Sequence, residues 1–192
     1  MYAACAIHDD VTGVVLAGGR GLRFGGADKG LVAYRGRTLA EHQLALLAPQ
    51  VRRVLISANR NLARYRSFGV EVVTDGQPGW FGPLAGMLAA ARRADTPWLV
   101  CVACDTLGLP ADSVARLIRS ACRAGASAAY ALADDGPHYT VCALRTDLAG
   151  SLQDALAAGR YAVRAFLFSQ HAVAADFRDH ALVNANGPEA LA

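Results

Sequence analysis

The sequence predicts a three-layer α/β/α fold built on a mostly parallel central sheet. Three observations lead there. Strand-like runs alternate with amphipathic helical segments, the strand runs are too apolar to face water on either side, and polar segments follow their ends. A chain of 192 residues, 54% apolar and 18% charged, is long enough for one well-buried core and short for two. Residues 1–192 therefore read as a single domain with a short tail over 1–10.

Residues 11–17 read as a buried strand ending on Gly18-Gly19, and a glycine-rich loop follows to Gly30. Residues 31–34 extend briefly before a turn at Arg35-Gly36. Thr38 then opens a helix with Leu39, His42, Leu46 and Leu47 near one face, stopped by Pro49. A second strand over 51–58, a short helix over 61–68 and a third strand over 70–74 come next. After a glycine- and proline-rich loop, residues 84–93 form a helix with Leu84, Met87, Leu88 and Ala91 on one side. Residues 98–104 are a fourth strand and 110–124 a helix for which Asp112 is a candidate cap. Residues 126–132 and 139–144 pair as strands across the polar turn Asp134-Asp135-Gly136-Pro137. Residues 147–158 are helical, 163–168 add a turn or two, and a last strand lies near 172–175.

Composition removes several function classes. The net charge of +3 comes from 19 basic and 16 acidic residues with no basic stripe, which argues against a nucleic-acid binder and suits a local anionic ligand. No charge-free apolar run is long enough to span a membrane, and residues 1–10 lack the basic start of a secretory signal. Five widely spread cysteines, an odd number, favour the reducing cytoplasm over a disulfide framework. Cys101 and Cys104 form a CxxC, but on a strand residues three apart point to opposite faces, and no second ligand pair completes a zinc site. They read as core. Of the 19 basic residues, only Lys29 is a lysine, so a compact point charge stands where every other cation is a planar guanidinium.

Lys29 lies in Leu16-Ala-Gly-Gly-Arg-Gly-Leu-Arg-Phe-Gly-Gly-Ala-Asp-Lys-Gly30. This is not a P-loop, which needs glycine before the lysine and Ser or Thr after it. Nor is it the dinucleotide fingerprint counted from Gly19, because Phe24 stands where the third glycine belongs. What remains is a loop whose glycines admit close backbone approach and whose Arg20, Arg23 and Lys29 supply positive charge, a combination suited to a triphosphate. In parallel sheets ligands bind beyond the carboxyl ends of strands. Asp105, Asp75 and Asn59 follow the fourth, third and second strands there. Each alone could be a turn or cap residue; their shared placement is more informative. Asp105 suits Mg²⁺ carrying phosphate oxygens. The five histidines need no general-base role, and His138, beside a turn, reads as surface or sheet edge.

The sequence closely resembles the molybdenum cofactor guanylyltransferases. The resemblance rests on Leu16-Ala-Gly-Gly with Gly25-Gly26-Ala-Asp-Lys-Gly-Leu31, on Ser57-Ala-Asn-Arg60, Gly82-Pro-Leu-Ala-Gly86, Cys104-Asp-Thr106 and Asn184-Ala-Asn-Gly-Pro188, in order over roughly residues 11 to 190. It implies a Rossmann-like nucleotidyltransferase fold and transfer of GMP from Mg-GTP to molybdenum-bound molybdopterin, with release of pyrophosphate. It further implies that Leu16, Ala17, Gly18, Gly19, Lys29, Asn59, Asp75, Gly82 and Asp105 bind GTP, that Asp105 holds Mg²⁺, and that Lys29, Arg23 and Asp105 are catalytic. Arg160, Arg164, Asn184 and Asn186 would lie on the molybdopterin side. The chain departs from the family at Phe24, usually Met, at Leu107, usually Pro, and at Gly187, usually Thr. The last removes a hydroxyl from the acceptor side. Cytidylyl transfer, a sugar-phosphate acceptor and a non-catalytic nucleotide-binding cofactor chaperone remain rival readings. The expected protein is a cytoplasmic monomer with neither nucleic-acid nor membrane partners, in transient contact with molybdopterin-supplying proteins and acceptor molybdoenzymes.

Overall fold

A computed structural model describes residues 8–19, 26–75 and 81–185 of the chain. Its elements are β1 (Val11–Leu16), β2 (Ala33–Tyr34), β3 (Arg37–Thr38), α1 (Leu39–Leu47), β4 (Arg53–Ser57), α2 (Leu62–Arg66), β5 (Glu71–Val73), α3 (Pro83–Arg93) and β6 (Trp98–Ala103). They continue with β7 (Thr106–Leu107), α4 (Ser113–Ala124), β8 (Ala128–Ala133), β9 (Gly136–Arg145), α5 (Ala149–Ala157), α6 (Val163–Ser169), β10 (Val173–Asp176) and β11 (Val183–Asn184). The central sheet has seven strands in the order β10-β8-β9-β6-β1-β4-β5. Only β9 runs against its neighbours, β6 and β8; the other pairs in this sheet are parallel. The expected mostly parallel sheet is therefore present. The tertiary fold adds one detail: the β8–β9 hairpin is inserted so that β9 lies between β8 and β6.

The side-chain alternation of each strand divides the core in two. Val11 and Val15 of β1 join Leu44, Leu47, Tyr65, Leu117 and Ile118, the layer of α1, α2 and α4. Val14 and Leu16 join Leu84, Met87, Leu152 and Phe166, the layer of α3, α5 and α6. Burying a Leu, Val or Phe side chain stabilises by about 1.5–3 kcal/mol, so a sheet covered on both faces dominates the stability of a chain this size. The cysteines follow the same rule: Cys101 faces the second layer and Cys104 the first. Cys101 lies opposite Cys142 across the β6–β9 pair, and burial pushes its thiol pKa well up, which suits core and not redox chemistry.

Local signals explain the helix starts. Thr38 caps α1 in a capping box: its backbone N–H donates to Glu41 Oε2 at 2.8 Å, and its hydroxyl accepts from the Glu41 N–H at 3.3 Å. The Thr38 N–H and the Thr38 hydroxyl, both donating to Oε2, hold the Glu41 carboxyl below its usual pKa. Two expectations are corrected. Asp112 makes no side-chain cap on α4; its carboxylate is drawn instead to Arg116, 2.9 Å away on the next turn. His138 is buried within β9, with Nε2 2.9 Å from Asp135 Oδ1, because the hairpin sits inside the sheet and not at its edge. Among the described residues no helix is long and apolar enough to cross a membrane.

Candidate active site

Parallel register builds the site. Leu16 pairs with Ser57 on one side and Ala103 on the other, so β1, β4 and β6 end at one level. The residues that follow, Ala17-Gly18, Ala58-Asn59 and Cys104-Asp105, emerge side by side at the carboxyl edge. The alignment continues past the strands: Ala17 N–H donates to the Ser57 carbonyl (2.8 Å), Cys104 N–H to the Leu16 carbonyl (3.1 Å) and Ala58 N–H to the Val73 carbonyl (3.1 Å). Gly18 and Gly19 are exposed beyond the buried Leu16 and Ala17, as a phosphate-approaching backbone requires.

Lys29 and Asp105, 76 residues apart in sequence, meet as an ion pair at this edge, each side chain 20% exposed. Lys29 begins a short 3-10 turn over Lys29–Leu31, and Asp28 just before it is nearly buried. The Asp28 carboxylate accepts from Tyr65 Oη at 2.7 Å and from Asn61 Nδ2 at 2.9 Å, and Arg60 Nε lies 3.5 Å away. The terminal nitrogens of Arg60 donate to the carbonyls of Gly26 and Ala27, both at 2.8 Å. Burial and the neighbouring Asp28 charge push the Tyr65 phenol pKa far up, so it stays a donor. Gly30 is glycine because a Cβ there would collide with Tyr65 Oη. None of these four partners was expected to act at the site, although Asp28 and Arg60 lie inside the motifs that carry the family resemblance.

Asp105 is fixed from the other side. Gln43 of α1, buried, donates to the Thr106 carbonyl at 2.6 Å. Thr106 and Leu107 pair with Asn184 and Val183 in the small β7–β11 ribbon, and Ala185 N–H donates to the Asp105 carbonyl at 2.8 Å. Burial and the Asp105 charge push the Cys104 thiol up, which keeps a neutral neighbour behind the carboxylate.

Asn59 and Asp75 form a second pair. Asn59 Nδ2 donates to Asp75 Oδ2 at 2.6 Å, and its Oδ1 accepts from the Asp75 backbone N–H at 3.2 Å. Asp75 and Phe81 lie in a groove of about 580 Å³ between α3 and α5. Gly82 caps α3 at φ +71°, a conformation that favours glycine, and Pro83 fills the first helical position. One turn on, a Cβ at Gly86 would strike Ser57 Oγ, so this glycine lets α3 press against the end of β4. The spacing of Gly82-Pro-Leu-Ala-Gly86 therefore has two separate causes.

The structure brings together Gly18, Lys29, Asn59, Asp75 and Asp105 at the ends of adjacent strands, with Gly82 at the start of α3. Of the four residues expected on the acceptor side, the three that are described, Arg160, Arg164 and Asn184, make no hydrogen bond or ion pair with one another. Asn184 is joined to the Asp105 loop, its Oδ1 3.2 Å from Thr106 Oγ1. Arg160 is exposed in the α5–α6 connection, whose Tyr161 carbonyl lies beside Gly82. Arg164 packs its guanidinium over the Phe168 ring at 5.3 Å. Arg23 and Asn186 lie outside the described residues. No group of three His, Cys, Asp or Glu side chains that could hold a metal occurs among the described residues.

The chain has clear relatives. The sequence pattern of the MobA-like NTP transferase domain matches residues 13–174. A molybdenum cofactor guanylyltransferase of Acidovorax sp. (strain JS42) is 55% identical over 66% of this chain, which spans 60% of that protein's length. One from Burkholderia vietnamiensis (strain G4 / LMG 22486) is 45% identical over 97% of this chain and 96% of its own. The solved structure of molybdopterin-guanine dinucleotide biosynthesis protein A from Archaeoglobus fulgidus, 24% identical, shares the fold over 94% of each chain with a TM-score of 0.74. With most of its length matched to one domain pattern and to a nearly full-length relative, the chain belongs to the MobA-like NTP transferase domain family.

Proposed function

We propose that this protein transfers GMP from Mg-GTP to the terminal phosphate of molybdenum-bound molybdopterin, forming the guanine dinucleotide form of the cofactor and releasing pyrophosphate. One observation carries the reading: Lys29 and Asp105 converge beside Gly18 at the carboxyl edge of the sheet. The names of the near-full-length relatives supply the substrate class. The acceptor phosphate is already anionic, so no protein nucleophile is needed. Its oxygen bonds to the α-phosphorus as the bond to the bridging α–β oxygen breaks, and pyrophosphate leaves. The chain's task is alignment and charge neutralisation. Backbone N–H groups around Gly18 and Gly19 approach the phosphates, and Lys29, joined by Arg23, places positive charge on the leaving oxygens.

The residues present fit a magnesium ion of the kind that keeps water and substrate oxygens as ligands. Asp105 offers one partly exposed carboxylate, and Mg²⁺ commonly needs only one or two from the protein. Mg²⁺ held on Asp105 would neutralise triphosphate charge. Lys29, paired with Asp105 in this structure, would then turn its charge to the phosphates.

The Asn59–Asp75 pair gives base choice a direction. Asn59 spends its amide on Asp75 and so acts as the brace. The Asp75 carboxylate reads guanine by accepting from N1–H and the exocyclic amine. Cytosine offers an acceptor where guanine offers N1–H, and an aspartate rejects it. On the acceptor side Arg160, Arg164, Asn184 and Asn186 contact molybdopterin. The enzyme works as a cytoplasmic monomer that meets molybdopterin-supplying proteins and acceptor molybdoenzymes only transiently.

Pyrophosphate release, measured with molybdenum-bound molybdopterin and each of the four Mg-triphosphates, tests the reading. GTP alone should support turnover. Turnover with CTP alone would make the chain a cytidylyltransferase, and GTP binding without pyrophosphate release would make it a carrier of the cofactor.

A further inference from the structure

The connection from β4 to α2 does more than link two elements. Arg60, Asn61 and Tyr65 all reach across to residues 26–28, the exit of the glycine-rich loop, more than thirty positions earlier in sequence. Their target, Asp28, has a side chain only 4% exposed, and such a carboxylate is tolerable only when its oxygens are matched by donors. Here Oδ1 takes the Tyr65 hydroxyl and Oδ2 takes the Asn61 amide, with Arg60 alongside. Asn61 holds φ at +51°, the left-handed conformation that asparagine tolerates better than most residues. Tyr65 is fully buried, and its ring meets Phe68 edge-on at 5.9 Å. The next two residues along the loop are Lys29, which reaches Asp105, and Gly30, which has no Cβ to displace the Tyr65 hydroxyl.

We propose that Arg60, Asn61 and Tyr65, acting through Asp28, are positioning residues that fix the Lys29 backbone so that its ammonium is delivered to the nucleotide phosphates. This rests on the reading of Lys29 as the triphosphate cation. A glycine-rich segment has more backbone conformations to lose than any other, so a lysine next to Gly30 is held in place only where neighbouring side chains fix it. The clasp orders the end that carries the charge before substrate arrives.

The chain's single lysine makes the test direct, because lysine-selective ¹³C labelling gives the side-chain signal of Lys29 alone. Tyr65→Phe keeps the ring and removes the hydroxyl; Asn61→Gly keeps the left-handed backbone and removes the amide. In both variants of the chain, without ligand, the Lys29 Cε resonance should shift or broaden. GTP affinity should fall about fivefold to tenfold, a loss the size of one ordinary hydrogen bond. In a Lys29→Ala background, Tyr65→Phe should cost no further affinity, since the clasp acts through that ammonium. A loss that merely reflects weaker folding would instead be equal in both backgrounds. An unmoved Lys29 resonance, or equal losses in the two backgrounds, would overturn the proposal. If the unaltered protein binds no triphosphate, the functional reading fails by itself, and an unmoved resonance still overturns the clasp.

Discussion

The residues proposed for the nucleotide and those proposed for the acceptor are held differently in the fold. Near the ends of β1, β4, β5 and β6 the candidate side chains are held by one another: Lys29 by Asp105, Asp28 by Tyr65 and Asn61, Asp75 by Asn59, and the Asp105 loop by Gln43 and the β7–β11 ribbon. In the other set, Arg160 is exposed, Arg164 lies over an aromatic ring, and Asn184 reaches the site only through the loop of Asp105. The first set can act as a preformed cradle for a triphosphate, in which little reorganisation remains when charge shifts in the transition state. The residues proposed for the acceptor offer separated contacts among the described residues. Strand register explains the difference: parallel strands ending at one level place their next residues together, whereas the α5–α6 connection and β11 reach the edge from different directions.

Mutations can break this contrast, beginning with the largest effect. Asp105→Ala should lower Mg²⁺-dependent turnover on the order of a thousandfold, about 4 kcal/mol of transition-state binding. Near-normal pyrophosphate release would remove Asp105 from the metal role. Lys29→Arg keeps the charge but replaces a point ammonium with a planar fork, and kcat/KM for GTP should fall at least about tenfold, roughly 1.4 kcal/mol. Asp75→Asn should cut the preference for GTP over CTP about tenfold with less effect on the rate of bound substrate. Competition between the two triphosphates measures this, and an unchanged ratio would move base reading elsewhere. Arg160→Ala should raise the KM for molybdopterin only about threefold and leave GTP affinity alone, as expected for one exposed contact among several. A large loss there would mean that the acceptor residues are as tightly held as the nucleotide residues.

The smallest effect concerns stability. Thr38→Ala removes the capping box of α1 and should cost about 1 kcal/mol in denaturant unfolding near neutral pH, without changing either KM. The sign of its pH dependence follows from Glu41. That carboxyl is held below its unfolded value, so its contribution is full above the unfolded pKa and disappears as pH falls through the lower folded one. The deficit of the variant should therefore narrow in acid.

Much of the fold was legible because it is local. Largely apolar runs marked β1 and β6, Thr38 marked the start of α1, and the strand period alone placed Cys101 and Cys104 on opposite faces. The glycine-rich loop and the polar residues after strands pointed to the edge where Lys29 and Asp105 meet. Where the reading failed, a partner distant in sequence decided the outcome. Asp112 has the chemistry of a cap, but Arg116 one turn on, itself bound to Asp179, takes its carboxylate. His138 follows a turn and looked exposed, yet the hairpin it belongs to lies inside the sheet.

By itself the sequence determined the layers, the direction of most strands and which charged groups follow the strands at the carboxyl edge. Hydrophobic period and glycine placement act over a few residues and need no knowledge of the rest of the chain. The tertiary structure alone decided that Asp28 would be buried under Tyr65, that Asn59 would brace Asp75, and that Asn184 would return to the loop of Asp105. Those are pairings between polar groups 16 to 78 positions apart, and only the closing of the sheet brings them within hydrogen-bond reach.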